Sequence, residues 1–173
     1  MQHTLIVAGV VLAVAAAYTD IRWGKVFNWL TLPFALLGLV LNTVGGGWEG
    51  LLLSMGGIGA GFALWLVSSL LGRILGGGDI KLLMAFGALL GPGFMLWAFG
   101  WGAVIGGVIA LAVALRHGML TRTMRQMGTS LYMRAALAAP MQIEDGAGAV
   151  RVPYAIALGA GALVTIAIRT WGG

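Results

Sequence analysis

Cysteine is absent from the chain, which excludes disulfides, thiolate metal sites and a cysteine nucleophile together. Charge is scarce as well: charged residues make up 9% of the 173, and only five are Asp or Glu. Histidine occurs twice, and no His, Cys and acid cluster has metal-ligand spacing, so no metal or other cofactor is expected. What remains is apolar. Hydrophobic residues make up 60% of the chain and the mean hydropathy is +0.99, far outside the range of soluble domains. This is the composition of an all-α, polytopic integral membrane protein. The net charge of +5 raises nucleic acid as a partner, but the Arg residues flank apolar runs and serve better as topology signals than as a phosphate-binding face. Membrane lipid is the expected partner, and nucleic acid is not.

Hydropathy and breakers divide residues 1–173 into about six spans within a single membrane-embedded domain. Thr4 to Tyr18 is the first; it lacks the basic flank of a secretory signal and is expected to be retained. It ends at Asp20, and the chain turns at Trp23-Gly24 into a second span from Val26 to about Val44. Gly45 to Gly50 reads as a turn, and a third span follows from Leu51 to about Leu71. Gly91-Pro92-Gly93 interrupts the next apolar stretch, because proline removes a backbone donor and glycine permits a turn. A short fourth helix from about Ile80 to Leu90 and a fifth from 93 to 115 result. The fourth would extend only about 16 Å at 1.5 Å per residue, so it must start inside the membrane or lie where the bilayer is thinned.

Residues 116–152 form one long connection. Within it Leu120, Met124, Met127 and Leu131 recur at helical spacing, which suits an amphipathic helix on a surface of anionic lipid or, alternatively, a partner-binding helix. Val152-Pro153-Tyr154 leads into a last span that ends near Arg169. Bases cluster in alternate connections, at Arg22 and Lys25, at Arg73 and Lys81, and from Arg116 to Arg151. The positive-inside rule therefore makes those connections cytoplasmic, with Arg169 as the one exception. On this threading Asp20 and Asp79 emerge at the same, cytoplasmic, face.

Asp79 lies within the run Gly76-Gly77-Gly78-Asp79-Ile80-Lys81, where an apolar stretch is about to begin. An acid there costs on the order of 2 to 3 kcal/mol or more and marks a functional site. Glycine gives the backbone room to turn and lets another chain approach. The plainer alternative is a helix start with Asp79 as its cap and the glycines as loop. Two close carboxylates share a proton, so that one can act as base toward water while the other polarises a peptide carbonyl, which is the aspartic-protease mechanism. Proton- or ion-coupled transport by the paired acids is the alternative from another class, although no internal repeat supports it. A structural pair, each acid capping a helix or bonded to Arg22 or Lys81, is a third.

Gly-x-Gly-Asp at Gly76 to Asp79 resembles the signature of the type IV prepilin peptidases, which are membrane aspartic proteases. Asp20, Arg22 and Asn28 resemble that family's first motif, and Pro153 to Gly159 its final span. Phe27 stands where the family commonly has Pro, which would loosen the start of the second helix. The cytoplasmic cysteine cluster and a methyl-donor domain are absent, so the resemblance is to the short, peptidase-only branch associated with tight-adherence (Flp-type) pilins. It implies an aspartic endopeptidase of the bacterial inner membrane, with Asp20 and Asp79 catalytic. Its substrate would be a pilin-like helix whose leader is cut at the cytoplasmic face. Gly77 and Gly78 would admit the scissile segment, and Gly78 would be the least replaceable glycine. Arg22 and Lys81 would tune the acids, bind an acidic substrate residue or anchor the fold at the interface. Asn28 would cap the second helix or orient Asp20, and Pro153 and Tyr154 would shape the floor of the site.

Overall fold

A computed structural model describes residues 2–71, 75–116 and 154–171. The chain divides into two compact units, residues 1–106 with 153–173 and residues 107–152. Within the second, only the end of one helix is described. The expected surface helix at Leu120 to Leu131 and the proposed site residue Pro153 both lie outside the described residues.

The described elements are all helices: α1 (Gln2–Trp23), α2 (Asn28–Leu70), α3 (Gly77–Leu90), α4 (Pro92–Arg116) and α5 (Tyr154–Trp171). Four of them, α1, α2, α4 and α5, include stretches long and apolar enough to cross a membrane. In α1, Leu5, Ala8, Leu12, Ala13 and Ala16 repeat every three or four residues and point inward, while Val7, Val11 and Val14 are at least half exposed. The same outward apolar rows occur at Leu36 and Val40 and at Val104 and Val108. Surface of this kind is stable against lipid and not against water, so the protein is membrane-embedded.

Although α2 runs for 43 residues, Gly47 inside it has φ 57° and ψ −131°. Asn42 Nδ2 donates to Ser54 Oγ at 3.0 Å. In a continuous helix those residues would be about 18 Å apart at 1.5 Å per residue, so the arms 28–46 and 48–70 must fold back on each other. A positive φ is what an L side chain resists, and glycine supplies it without strain. The anticipated turn over Gly45 to Gly50 is thus confined to one residue, and helix continues on both sides.

The fold is built around α3. Eight of its 14 residues, from Ile80 to Leu89, are buried, and its main partner is α2. Its backbone meets the outer arm of α2 at Gly57 and Gly87, where a Cβ on either residue would strike the other's carbonyl oxygen. Small residues permit this depth of contact, and dispersion then holds the helices without a hydrophobic driving force. Because α3 is wrapped by protein, its length of about 21 Å need not match the roughly 30 Å hydrocarbon thickness.

The C-terminus of α3 falls at Leu90, where the sequence reading ends it, whereas its N-terminus begins earlier than expected. Gly91 follows, whose φ of 87° and N–H to the Gly87 carbonyl (2.8 Å) cap the helix, and Pro92 opens α4, where no donor is needed. At the N-terminus Gly77 and Gly78 are the first helical residues rather than a flexible loop. Likewise α1 continues through Asp20 to Trp23 instead of ending at the acid. Arg169, the base on the unexpected face, lies with its guanidinium 5.6 Å from the Phe94 ring centroid, a cation–π contact that suits an interfacial Arg.

Candidate active site

Asp20 is half-buried in the last turn of α1, one residue beyond Thr19, whose hydroxyl returns to the Ala16 carbonyl at 3.0 Å. Asp79 is half-buried in the first turn of α3. Gly76 is the N-cap, which puts Asp79 at the third helical position rather than at the cap itself. From there its carboxylate reaches back to a backbone hydrogen bond from Gly76, in the manner of the acidic member of a capping box. Gly76 makes that posture possible: a Cβ there would lie 2.8 Å from Asp79 Oδ2.

The two acids are neighbours. The charge of Asp20 acts on the Asp79 carboxyl, and that of Asp79 acts on the Tyr154 phenol. A third element is therefore present. At the start of α5 the Ala155 N–H donates to Asp20 Oδ2 at 3.0 Å. Sequence reasoning identified Tyr154 but not Ala155, because a backbone donor leaves no residue-type signal.

The remaining candidates surround this group. Gly78 faces the connection between α1 and α2, where an added Cβ would come 3.3 Å from Val26 Cβ, while nothing lies within 4 Å of one on Gly77. Lys81 Nζ donates to Asn28 Oδ1 at 2.8 Å, tying the start of α3 to that of α2. Asn28 is not the cap of α2: Phe27 is, with no side-chain cap bond. Phe27 has φ −84° and ψ 146°, near what proline would impose. Its ring, 5.8 Å from that of Trp23 and 6.0 Å from that of Trp29, braces the connection instead of loosening it. Arg22 is exposed, its guanidinium 5.8 Å from the Trp23 ring centroid.

On the Gly77 and Ile80 side of α3 there is a separate cavity of about 250 Å³, lined also by Trp65, Ser68, Ser69 and Leu75, and neither acid borders it. Among the described residues no three His, Cys, Asp or Glu side chains are grouped as metal ligands.

Asp20 at the end of α1 and Asp79 at the start of α3 thus bring two carboxylates together with the first turn of α5. Residues 7–111 match the model of the type IV leader peptidase family. The chain belongs to that family. No curated protein and no solved structure matches it. The matched segment contains Asp20 and Asp79 and ends before α5, so Tyr154 and Ala155 lie outside it.

Proposed function

We propose that this leader peptidase is an aspartic endopeptidase that removes the leader of type IV (Flp-like) prepilins at the cytoplasmic face of the inner membrane. Asp20 and Asp79 form the dyad. The observation that carries this reading is that the charge of Asp20 bears on the Asp79 carboxyl in a chain of the leader peptidase family. Two acids brought close together favour a state in which one proton is shared. One carboxylate then takes a proton from water while the other donates to the scissile carbonyl, and the roles reverse as the amine leaves. The substrate helix stays in the bilayer while its extended leader junction enters beside the acids.

The arms of α2, with α1, α3, α4 and α5, make six passes, α3 being the short one. Alternation of the basic connections supports a cytoplasmic position for Lys25 and Lys81, together with the acids. Ion-coupled transport has no comparable support in family or in repeats.

The test is leader removal from a prepilin by the full chain in detergent, comparing Asp20→Asn and Asp79→Asn with the unaltered protein. Each amide variant should remain folded and lose cleavage by at least about 10³-fold, since an amide can neither ionise nor act as general base. Near-normal cleavage by either variant would show that other groups perform the chemistry.

A further inference from the structure

Resting on the aspartic-peptidase reading, we propose that the first turn of α5 is a positioning element of the site, in which the Ala155 N–H orients the Asp20 carboxylate toward Asp79. A carboxylate on the last turn of a helix rotates about two side-chain bonds, and its chain neighbours do not select one orientation: the Thr19 hydroxyl is bonded to the Ala16 carbonyl and Ile21 is 69% exposed. The selecting contact comes from 135 residues away in the chain, where Ala155 N lies 3.0 Å from Asp20 Oδ2. Ala155 is 1% exposed, and the first N–H groups of a helix have no partner within it. Asp20 supplies the acceptor that this donor otherwise lacks, and the charge-assisted bond leaves one oxygen free for the dyad.

The donor can act this way only if α5 is itself held, and it is. Leu158 and Ala162 are fully buried in the core. Gly159 packs on α1, where an added Cβ would be 3.1 Å from the Ala13 carbonyl oxygen, and Gly106 of α4 accepts the Tyr154 ring, where an added Cβ would be 3.0 Å from its Cε2. The opening turn of α5 is thus wedged between the helix that carries Asp20 and the helix that comes after α3. A neighbouring residue of the same turn, Tyr154, is in electrostatic contact with the other acid. The first turn of α5 therefore bonds to one member of the dyad and feels the charge of the other, although it lies outside the segment that matches the family.

The experiment measures kcat and KM for leader cleavage by full-length variants in detergent, with thermal unfolding of each. Ala155→Pro deletes the N–H at a position in the first helical turn, where proline is tolerated. Ala155→Gly and Ala155→Ser retain it. The proline variant should lose at least about 10-fold in kcat with KM within about two-fold, as expected for a displaced catalytic group rather than lost substrate contact. The glycine and serine variants should stay within about three-fold of the unaltered enzyme. A folded proline variant with an unchanged kcat would overturn the proposal.

If proline prevents folding, Gly106→Val provides the second arm. Its added carbons push on Tyr154 and so move the first turn of α5, which should lower kcat and spare KM, and a folded Gly106→Val at full kcat would equally overturn the proposal. Activity of the unaltered protein in the same assay separates this question from the functional reading: an enzyme that cuts with an indifferent Ala155 refutes only the positioning role. A protein that never cuts refutes the peptidase assignment.

Discussion

A methyl group at position 76 would have to take the place of Asp79 Oδ2, which stands 2.8 Å from where that carbon would be. The obstacle is the end of a movable side chain, so the protein can relieve it cheaply, but only by moving the acid that the reaction needs. Gly76→Ala should therefore change the melting temperature little and reduce cleavage by about 10-fold or more, in line with the sensitivity of catalysis to misplacement of about 1 Å. Gly77→Ala, with open space around it, should cleave at nearly the normal rate. The sequence reading makes Gly78 the least replaceable of the three because a Cβ would crowd the substrate backbone or forbid a positive φ, and its φ is not positive. Its neighbour is Val26 of the same chain, so Gly78→Val should act by prising the α1–α2 connection off α3, and its loss of activity should be accompanied by a lower melting temperature. Equal cleavage by Gly76→Ala and Gly77→Ala would show that Gly76 has no special part in seating Asp79.

At the scale of the element, α3 illustrates how a helix shorter than the bilayer is stabilised. Its last carbonyls have no partner in the helix, and Ala88 and Leu89 are fully buried. Asn42 Nδ2 donates to the carbonyls of Ala88 at 3.0 Å and Leu89 at 3.1 Å, and Ser54 Oγ donates to Ala88 at 2.8 Å. Both residues come from the hairpin of α2. Asn42→Leu would leave the Leu89 carbonyl buried without this donor and should destabilise the protein by about 1 to 3 kcal/mol, read as a lower melting temperature in detergent. No change would mean that other donors suffice.

The α2–α3 seam offers a paired test. Gly57→Ala forces the two backbones apart and should cost about 1 to 3 kcal/mol, as overpacking does. Gly59→Ala, with nothing within 4 Å, should be neutral or stabilising by up to about 1 kcal/mol through helix propensity. Equal melting temperatures for the two variants would mean that the backbones do not meet at Gly57.

For the whole molecule, the lack of cysteine makes orientation directly measurable, since each introduced thiol is the only one. Lys25→Cys should be labelled by a membrane-impermeant maleimide only after the inner membrane is opened. Glu49→Cys, at the Gly47 bend between the arms of α2, should be labelled in intact spheroplasts. The reverse pattern would invert the topology and move Asp20 and Asp79 to the other face.

Composition and hydropathy by themselves determined that the chain is helical and lipid-embedded, and Pro92 with its glycines marked the end of α3, because burial in lipid and loss of a backbone donor are local properties. Both acids were legible for a similar reason: an Asp beside an apolar run stands out whatever surrounds it. Tertiary structure alone decided what those acids touch. The reach of Asp79 back to Gly76 depends on which turn of α3 it occupies, and a helix boundary is set by packing as much as by sequence. The bond from Ala155 to Asp20 joins residues 135 apart, and the meeting of Gly57 with Gly87 requires α2 and α3 to pack side by side. Such contacts follow from how the helices pack together, and that choice is made by the sum of many small contacts rather than by any one residue.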